Sequence, residues 1–247
     1  MKRICLYILI GWMGLQQVCA QRVVENRPYT DLRPFHFGVL VGTHLQDLEL
    51  TNVGPQTIIQ EDGTTVDALI TCDQDRWDAG FTVGVLGELR LSEHFQFRVA
   101  PAMYFGSHHI TFHHFKVLDA AGQPTEQQQE LKTAYFSTAF DLIFAAPRSG
   151  NHRPYLMVGL TPMLNLSRKE QDYLKLKNTE VFAEVGLGCD FYLPFFKLRP
   201  ELKFLYSLTN SLDKNHASEL KDKNMLPYTI SVNKAHSKMI VLTFYFE

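Results

Sequence analysis

The chain has 247 residues, 45% of them hydrophobic, with 24 Lys and Arg against 26 Asp and Glu and a formal charge of −2. No basic stripe is interleaved with aromatics, which excludes a nucleic-acid surface. After the N-terminus no stretch reaches the ~18 consecutive apolar residues that a helical membrane span needs.

Residues 1–20 read as a secretory signal. Lys2 and Arg3 form the positive region, 4–15 the apolar run, and Val18-Cys19-Ala20 the small residues before a cut at Gln21. Residues 21–34 follow as a lead-in segment. Loss of Cys5 and Cys19 with the signal leaves Cys72 and Cys189, which is no disulfide framework. They are expected to lie at opposite ends of the fold and not to pair.

Residues 35–247 then show eight segments in which every second residue is apolar, the mark of strands with two different environments. The first, 35–45, has Phe35, Phe37, Val39, Val41 and Leu45 on one face and His36, Gly38, Gly42 and His44 on the other. The second, 79–91, sets Phe81, Val83, Val85, Leu89 and Leu91 against Gly80, Thr82, Gly84, Glu88 and Arg90. The third and fourth, 95–105 and 132–144, carry Arg98 and Asp141 opposite phenylalanine-rich faces. The fifth, 154–164, has Leu156, Val158, Leu160 and Leu164 on its apolar face. The sixth, 180–192, opposes Val185 and Leu187 to Glu184, Gly186, Gly188 and Asp190. The seventh, 196–208, opposes Leu198, Leu202 and Phe204 to Lys197, Arg199, Glu201 and Lys203, and the eighth, 238–246, ends on Phe244-Tyr245-Phe246. Pro101, Pro162 and Pro200 fall inside strands and require bulges or unpaired ladder positions.

The connections alternate. Those at 92–94, 145–153 and 193–195 are short; those at 46–78, 106–131, 165–179 and 209–237 are long. Small outer-membrane barrels have short periplasmic turns and long outer loops. The expected fold is therefore all-β, an eight-stranded antiparallel transmembrane barrel of the outer membrane. The four long loops would be extracellular and both termini periplasmic.

A soluble eight-stranded barrel would alternate too, with its apolar face inward. Two features favour the inverted arrangement. The less apolar face is rich in Gly, Ala, Ser and Tyr, which suit a narrow lumen. Aromatics gather at the strand ends: Phe35, Phe95, Phe144, Tyr155, Phe191, Phe195, Phe196 and Phe246 at one rim, and Phe81, Phe105, Phe136 and Tyr206 nearer the other. Glu88, Arg90, Arg98, Asp141, Glu184, Asp190, Lys197, Arg199, Glu201 and Lys203 would then face one another inside. They are expected to pair across strands, because an unpaired buried charge is costly, and so to make a plugged cylinder, not a wide pore.

No motif points to catalysis or to a cofactor. His108, His109, His113 and His114 are weak candidates for a metal site, since imidazole is a common ligand, but no carboxylate or cysteine stands at a ligand-like spacing. Ser107 beside His108, or His44, could be cast in a lipid-modifying site of the kind some small barrels carry. The runs 126–130, rich in Gln, and 214–224, of mixed charge, read as flexible or solvated loop.

The Phe37-Gly38-Val39, Gly84-Val85-Leu86-Gly87-Glu88-Leu89-Arg90 and Val185-Gly186-Leu187-Gly188 strands, the Arg199-Pro200-Glu201-Leu202-Lys203 strand and the closing Phe244-Tyr245-Phe246 resemble the PorT family of outer-membrane components of type IX secretion. Glu247 departs from the usual aromatic terminus. The resemblance implies a role in exporting proteins across the outer membrane and in their surface maturation, with other secretion-system proteins and outer-membrane lipid as partners. A narrow, charge-filled barrel modifies that expectation to an accessory or assembly subunit. A structural or adhesin-like barrel, and less so a lipid-modifying enzyme, are the alternatives.

Overall fold

Each alternating segment is a strand, and most are longer than the apolar pattern suggests. The computed structural model describes residues 24–59, 65–118, 120–167 and 172–247; the signal expected at 1–20 lies outside the described residues. The strands are β1 (Phe35–Asn52), β2 (Pro55–Ile59), β3 (Thr65–Asp73), β4 (Asp78–Arg90), β5 (Phe95–Leu118), β6 (Pro124–Ala145), β7 (His152–Asn165), β8 (Thr179–Tyr192), β9 (Lys197–Ser207) and β10 (Val232–Phe246). Eight of them close a ring in the order β5-β4-β1-β10-β9-β8-β7-β6, with β6 returning to β5. Neighbours around the ring are antiparallel, and the β1–β10 seam runs from Val39↔Phe246 to Asn52↔Val232. The fold is thus all-β, with ten strands in one sheet.

The two further strands lie in the first long connection. β3 pairs with the far part of β5, from Ile70↔His114 to Asp73↔Thr111, and β2 pairs with β3. Asn52 ties β1 to β3: its Nδ2 donates to the Cys72 carbonyl at 3.1 Å and its Oδ1 accepts from Cys72 N–H at 2.9 Å.

The side-chain pattern is that of an inverted barrel. Phe37, Val39, Val83, Val85, Leu156, Leu160, Leu187 and Leu202 are exposed, whereas Arg98, Asp141, Glu184, Arg199 and Glu201 are buried. Such a belt is stable against hydrocarbon, where only a closed sheet satisfies every backbone N–H and C=O. Phe81 stacks on Phe105 with ring centroids 4.9 Å apart, and at the opposite rim Phe95 meets Phe144 at 5.3 Å.

Above the belt the alternation changes phase, and this is why the expected loops are shorter than 46–78, 106–131 and 209–237. On β1 the outward residues become Asp47 and Glu49 while Leu48 turns in; on β5 they become Ser107, His109 and His113 while Ile110 and Phe112 turn in. The backbone continues unbroken through the switch. The Gln-rich run 126–130, expected as flexible loop, is likewise part of β6, laddered to β5 from Glu126↔His113 to Glu130↔His109.

The three strand prolines leave ladder positions unpaired without any bulge. β4–β5 pairing skips from Gly84↔Ala102 to Gly87↔Val99, past Pro101, with the register unchanged. β6–β7 skips from Ser137↔Met163 to Phe140↔Leu160 past Pro162, and β8–β9 from Gly188↔Glu201 to Phe191↔Leu198 past Pro200. On its other side each proline stays paired, to Thr138, Val181 and Phe244 respectively. Only the missing donor is lost.

Leu160 lies mid-belt on β7 and is exposed. Leu160→Arg is expected to destabilise the folded barrel in lipid vesicles by about 2–4 kcal/mol, against a small effect for Leu160→Val, measured by reversible guanidinium unfolding.

Candidate functional site

Period-two alternation on β9 turns Lys197, Arg199, Glu201 and Lys203 inward one above another, and the facing strands supply their partners. Next to the terminal end, Arg199 Nη1 is bonded to Glu88 on β4, and its Nε donates to Asp190 Oδ1 at 2.5 Å. In the middle, Arg98 Nη2 donates to Glu201 Oε2 at 2.7 Å, and Arg98 Nε lies 3.3 Å from Asp141 Oδ2. Tyr155 and Tyr245 hydroxyls donate to the two Glu201 oxygens at 2.7 and 2.9 Å, and the Arg98 guanidinium lies 4.5 Å from the Tyr245 ring centre. Farther up, Glu184 accepts from Lys203 Nζ at 3.3 Å and from Thr161 Oγ1 at 2.5 Å. Gly188 makes room for this packing: a Cβ there would collide with the Tyr155 hydroxyl and ring.

Of the charges expected inside, Glu88, Arg98, Asp141, Glu184, Asp190, Lys197, Arg199, Glu201 and Lys203 are brought together. Arg90 is not. It sits half-buried at the end of β4, its Nε donating to the Ser92 carbonyl at 3.3 Å, because its strand ends before the lumen closes round it. Tyr155, expected in an aromatic rim, also belongs to the lumen. It neighbours outward Leu156, so parity turns it in.

Two lumen carboxylates escaped the sequence reading. Glu247, the apparent departure at the C-terminus, turns in beside Tyr245: its Oε2 is 2.5 Å from Lys197 Nζ and 3.4 Å from His36 Nδ1. Glu180 accepts from Ser207, Ser211, Ser237 and Tyr135 hydroxyls at 3.3, 2.5, 3.3 and 3.4 Å. Strand parity was the signal for both, since Glu180 shares a face with Glu184 and Glu247 with Tyr245.

Both mouths are covered. At the terminal end the lead-in, described from residue 24 on, is tied down. Asn26 N–H donates to Asn151 Oδ1 at 2.8 Å, Arg27 Nη1 to the Glu247 carbonyl at 3.0 Å, and the Tyr192 hydroxyl to Asp31 Oδ1 at 2.6 Å. Arg148, from the β6–β7 turn, donates to the Arg27 carbonyl at 3.2 Å and places its guanidinium 3.7 Å from the Tyr192 ring centre. At the other end Leu48, Ile70, Ile110, Phe112, Leu174 and Leu212 form an apolar core inside the wall, with Tyr173 and Tyr228 closing over Phe112. The mixed-charge run 214–224 lies on the outside of this cap around a one-turn helix, His216–Glu219.

The histidines are dispersed. His108 is buried, its Nδ1 2.9 Å from Gln74 Oε1. His109 faces out, with its Nδ1 2.8 Å from Asp78 Oδ1; His113 pairs with Glu126 at 3.3 Å, and His114 Nδ1 accepts from Val117 N–H at 3.2 Å. Among the described residues no group of three His, Cys, Asp or Glu side chains is placed to hold a metal ion. Ser107 and His108 lie on opposite faces of β5, so they do not form a nucleophile–base pair. His44 is buried against Tyr104, ring centroids 5.3 Å apart. Cys72 and Cys189 are both free thiols, and burial pushes the Cys72 thiol well above its ordinary range.

A family model described as "Outer membrane protein beta-barrel domain" matches residues 19–213. Among solved structures, the chain is similar to the outer membrane protein OprG from Pseudomonas aeruginosa (13% identity, TM-score 0.45, covering 85% of this chain and 93% of that one). It is also similar to Neisserial surface protein A (11%, TM-score 0.42, 86% and 98%). A third is Ail, the attachment invasion locus protein of Yersinia pestis (11%, TM-score 0.34, 87% and 100%). Comparison with curated proteins yields no match.

Removing one partner of a buried pair strands the other charge, which costs about 3–5 kcal/mol. Arg98→Met alone should therefore destabilise the barrel by roughly that amount, and Arg98→Met with Glu201→Met by less; a double-mutant cycle in lipid vesicles measures both. His108 gives a pH signature above the belt. Burial, more than its weaker repulsion from neighbouring His44 and His109, lowers its imidazole from 6.5 to about 4, against a smaller opposing pull from Asp78. The unfolded chain therefore takes up the proton first. Stability contributed by neutral His108 is fully present above about pH 6.5 and lost as pH falls towards 4. His108→Gln should flatten that slope in unfolding titrations.

Proposed function

Because the chain belongs to the outer membrane protein β-barrel domain family, we propose that it is a plugged outer-membrane barrel that serves protein export and surface maturation by type IX secretion, as an accessory or assembly component and not as the conduit. The observation that carries the non-conduit part is the Arg98–Glu201–Tyr155–Tyr245 cluster. Side chains from β5, β7, β9 and β10 meet in the middle of the lumen, with a cap above and the lead-in below. A path for a polypeptide would require breaking buried ion pairs in several layers at once. Function therefore falls to the outer surface, through protein contacts and without catalysis or a cofactor.

The secretion part rests on the resemblance of the Gly-Val strands and the Arg-Pro-Glu strand to the PorT family. The orientation rests on the short and long connections: termini and short turns in the periplasm, the β5–β6 hairpin and the cap outside.

A strain lacking this protein should retain its exported substrates in the periplasm, read by immunoblot of periplasmic and surface fractions, and the purified barrel should give no sustained conductance in a planar bilayer. Normal secretion with lost attachment would move the assignment to an adhesin-like barrel. A changed lipid A mass would move it to an enzyme. Large persistent openings would overturn the plugged reading.

A further inference from the structure

The wall of the barrel is uneven above the apolar belt. β6 stays laddered to β5 as far as Thr125↔His114, but its ladder with β7 reaches only to Tyr135↔Asn165. One more bond runs from Leu166 N–H to the Ala134 carbonyl. Among the described residues no strand pairs with the other side of β6 between Glu126 and Lys132. Along a strand, successive residues direct their N–H and C=O to alternate sides. The Leu166–Ala134 bond sets the parity, so Lys132, Glu130, Gln128 and Glu126 present their backbone groups on the open side. Thr133, Leu131, Gln129 and Gln127 bond to β5.

The side chains match this division. Glu126, Gln128, Glu130 and Lys132 point out and are exposed. Leu131 points in and, with Leu174 and Leu176, floors a cleft rimmed by Lys132, Asn165 and Ser167. Gln129 steadies that floor: its Nε2 donates to the Leu174 carbonyl and its Oε1 accepts from Leu174 N–H, both at 3.0 Å. An open edge beside a cleft is the arrangement by which a sheet accepts a foreign strand, main chain supplying affinity and alternate side chains specificity.

We propose that the open edge of β6 is a docking site for an extended segment of another protein, added as an antiparallel strand with basic side chains beside Glu126 and Glu130 and an apolar side chain in the cleft at Leu131. A second copy does not fit. Two copies in one membrane are related by rotation about the membrane normal, which keeps both β6 strands running the same way. Glu126 would then stand beside Glu126 and Glu130 beside Glu130, and like charges directly opposite are destabilising. The assignment goes beyond the secretion reading and stands without it.

The test uses the full mature barrel in lipid nanodiscs and a labelled peptide, Thr-Glu-Leu-Lys-Thr-Gln-Thr-Lys, whose order places it antiparallel to β6 from Thr133 to Glu126. Saturable binding is expected, with hydrogen-exchange protection gained at the Gln128 and Glu130 amides. Glu126→Lys with Glu130→Lys should weaken it at least tenfold. So should Gln128→Pro, which removes one edge donor and leaves the β5 ladder intact. Heat-modifiable gel migration checks folding; should Gln128→Pro misfold, the outward glutamate pair decides. The proposal is overturned by absence of saturable binding, by equal binding to the charge-reversed barrel, or by binding without protection at Gln128 and Glu130. Each of these leaves the secretion reading untouched, since none measures export.

Discussion

Closure of the backbone ladder is the constraint from which the rest follows. In hydrocarbon a peptide group has only another peptide group to bond, so the β1–β10 seam and the β5–β6 return are conditions of existence for the belt. A ring of eight strands is narrow, and its width decides what can be inside. Side chains turned inward must touch. Along most of β9 those are two lysines, an arginine and a glutamate, followed by Leu205 and Ser207, so much of what touches is charge.

Charge in a space without water is stable only when paired. Each cation of β9 accordingly meets a carboxylate from outside β9: Lys197 meets Glu247, just past the end of β10, Arg199 meets Glu88 and Asp190, and Lys203 meets Glu184. These bonds tie strands distant in sequence and leave the barrel filled across. The same network explains an unusual terminus. Glu247 is not a frayed end after the final aromatic but a lumen carboxylate whose backbone also exchanges two bonds with Lys197. Sealing at both mouths follows different chemistry, apolar packing around Phe112 at one and polar ties to Asn26, Arg27 and Asp31 at the other.

With the lumen filled, the surface left accessible is the exterior. The parts of the wall that rise above the belt, β3 with β2, the β5–β6 hairpin and the capped loops, are the ones without hydrocarbon around them. Among the described residues the sheet is incomplete there, and an incomplete sheet has edges that another chain can use.

How much of this was legible follows a single physical rule. Alternation reports which environment a side chain meets, so the belt, the closed fold and most lumen charges could be read from residues 35–246 directly. Alternation does not report where a strand ends. The environment reverses at the membrane surface while the strand runs on, and Asp47, His109 and Glu130 look like loop though they are strand. Parity alone could have placed Glu180, Glu247 and Tyr155 inside. Nothing in the local sequence could have placed Arg90 outside the network, or tied Asn26 to Asn151 and Gln129 to Leu174. Those depend on which strands the ring makes neighbours, on the height at which each stops, and on loops returning from far along the chain. The sequence by itself determined the two-faced strands and hence the inverted barrel; only the tertiary structure decided which charges meet, what seals the mouths and which edge stays open, because register and closure are properties of pairs of strands and not of one.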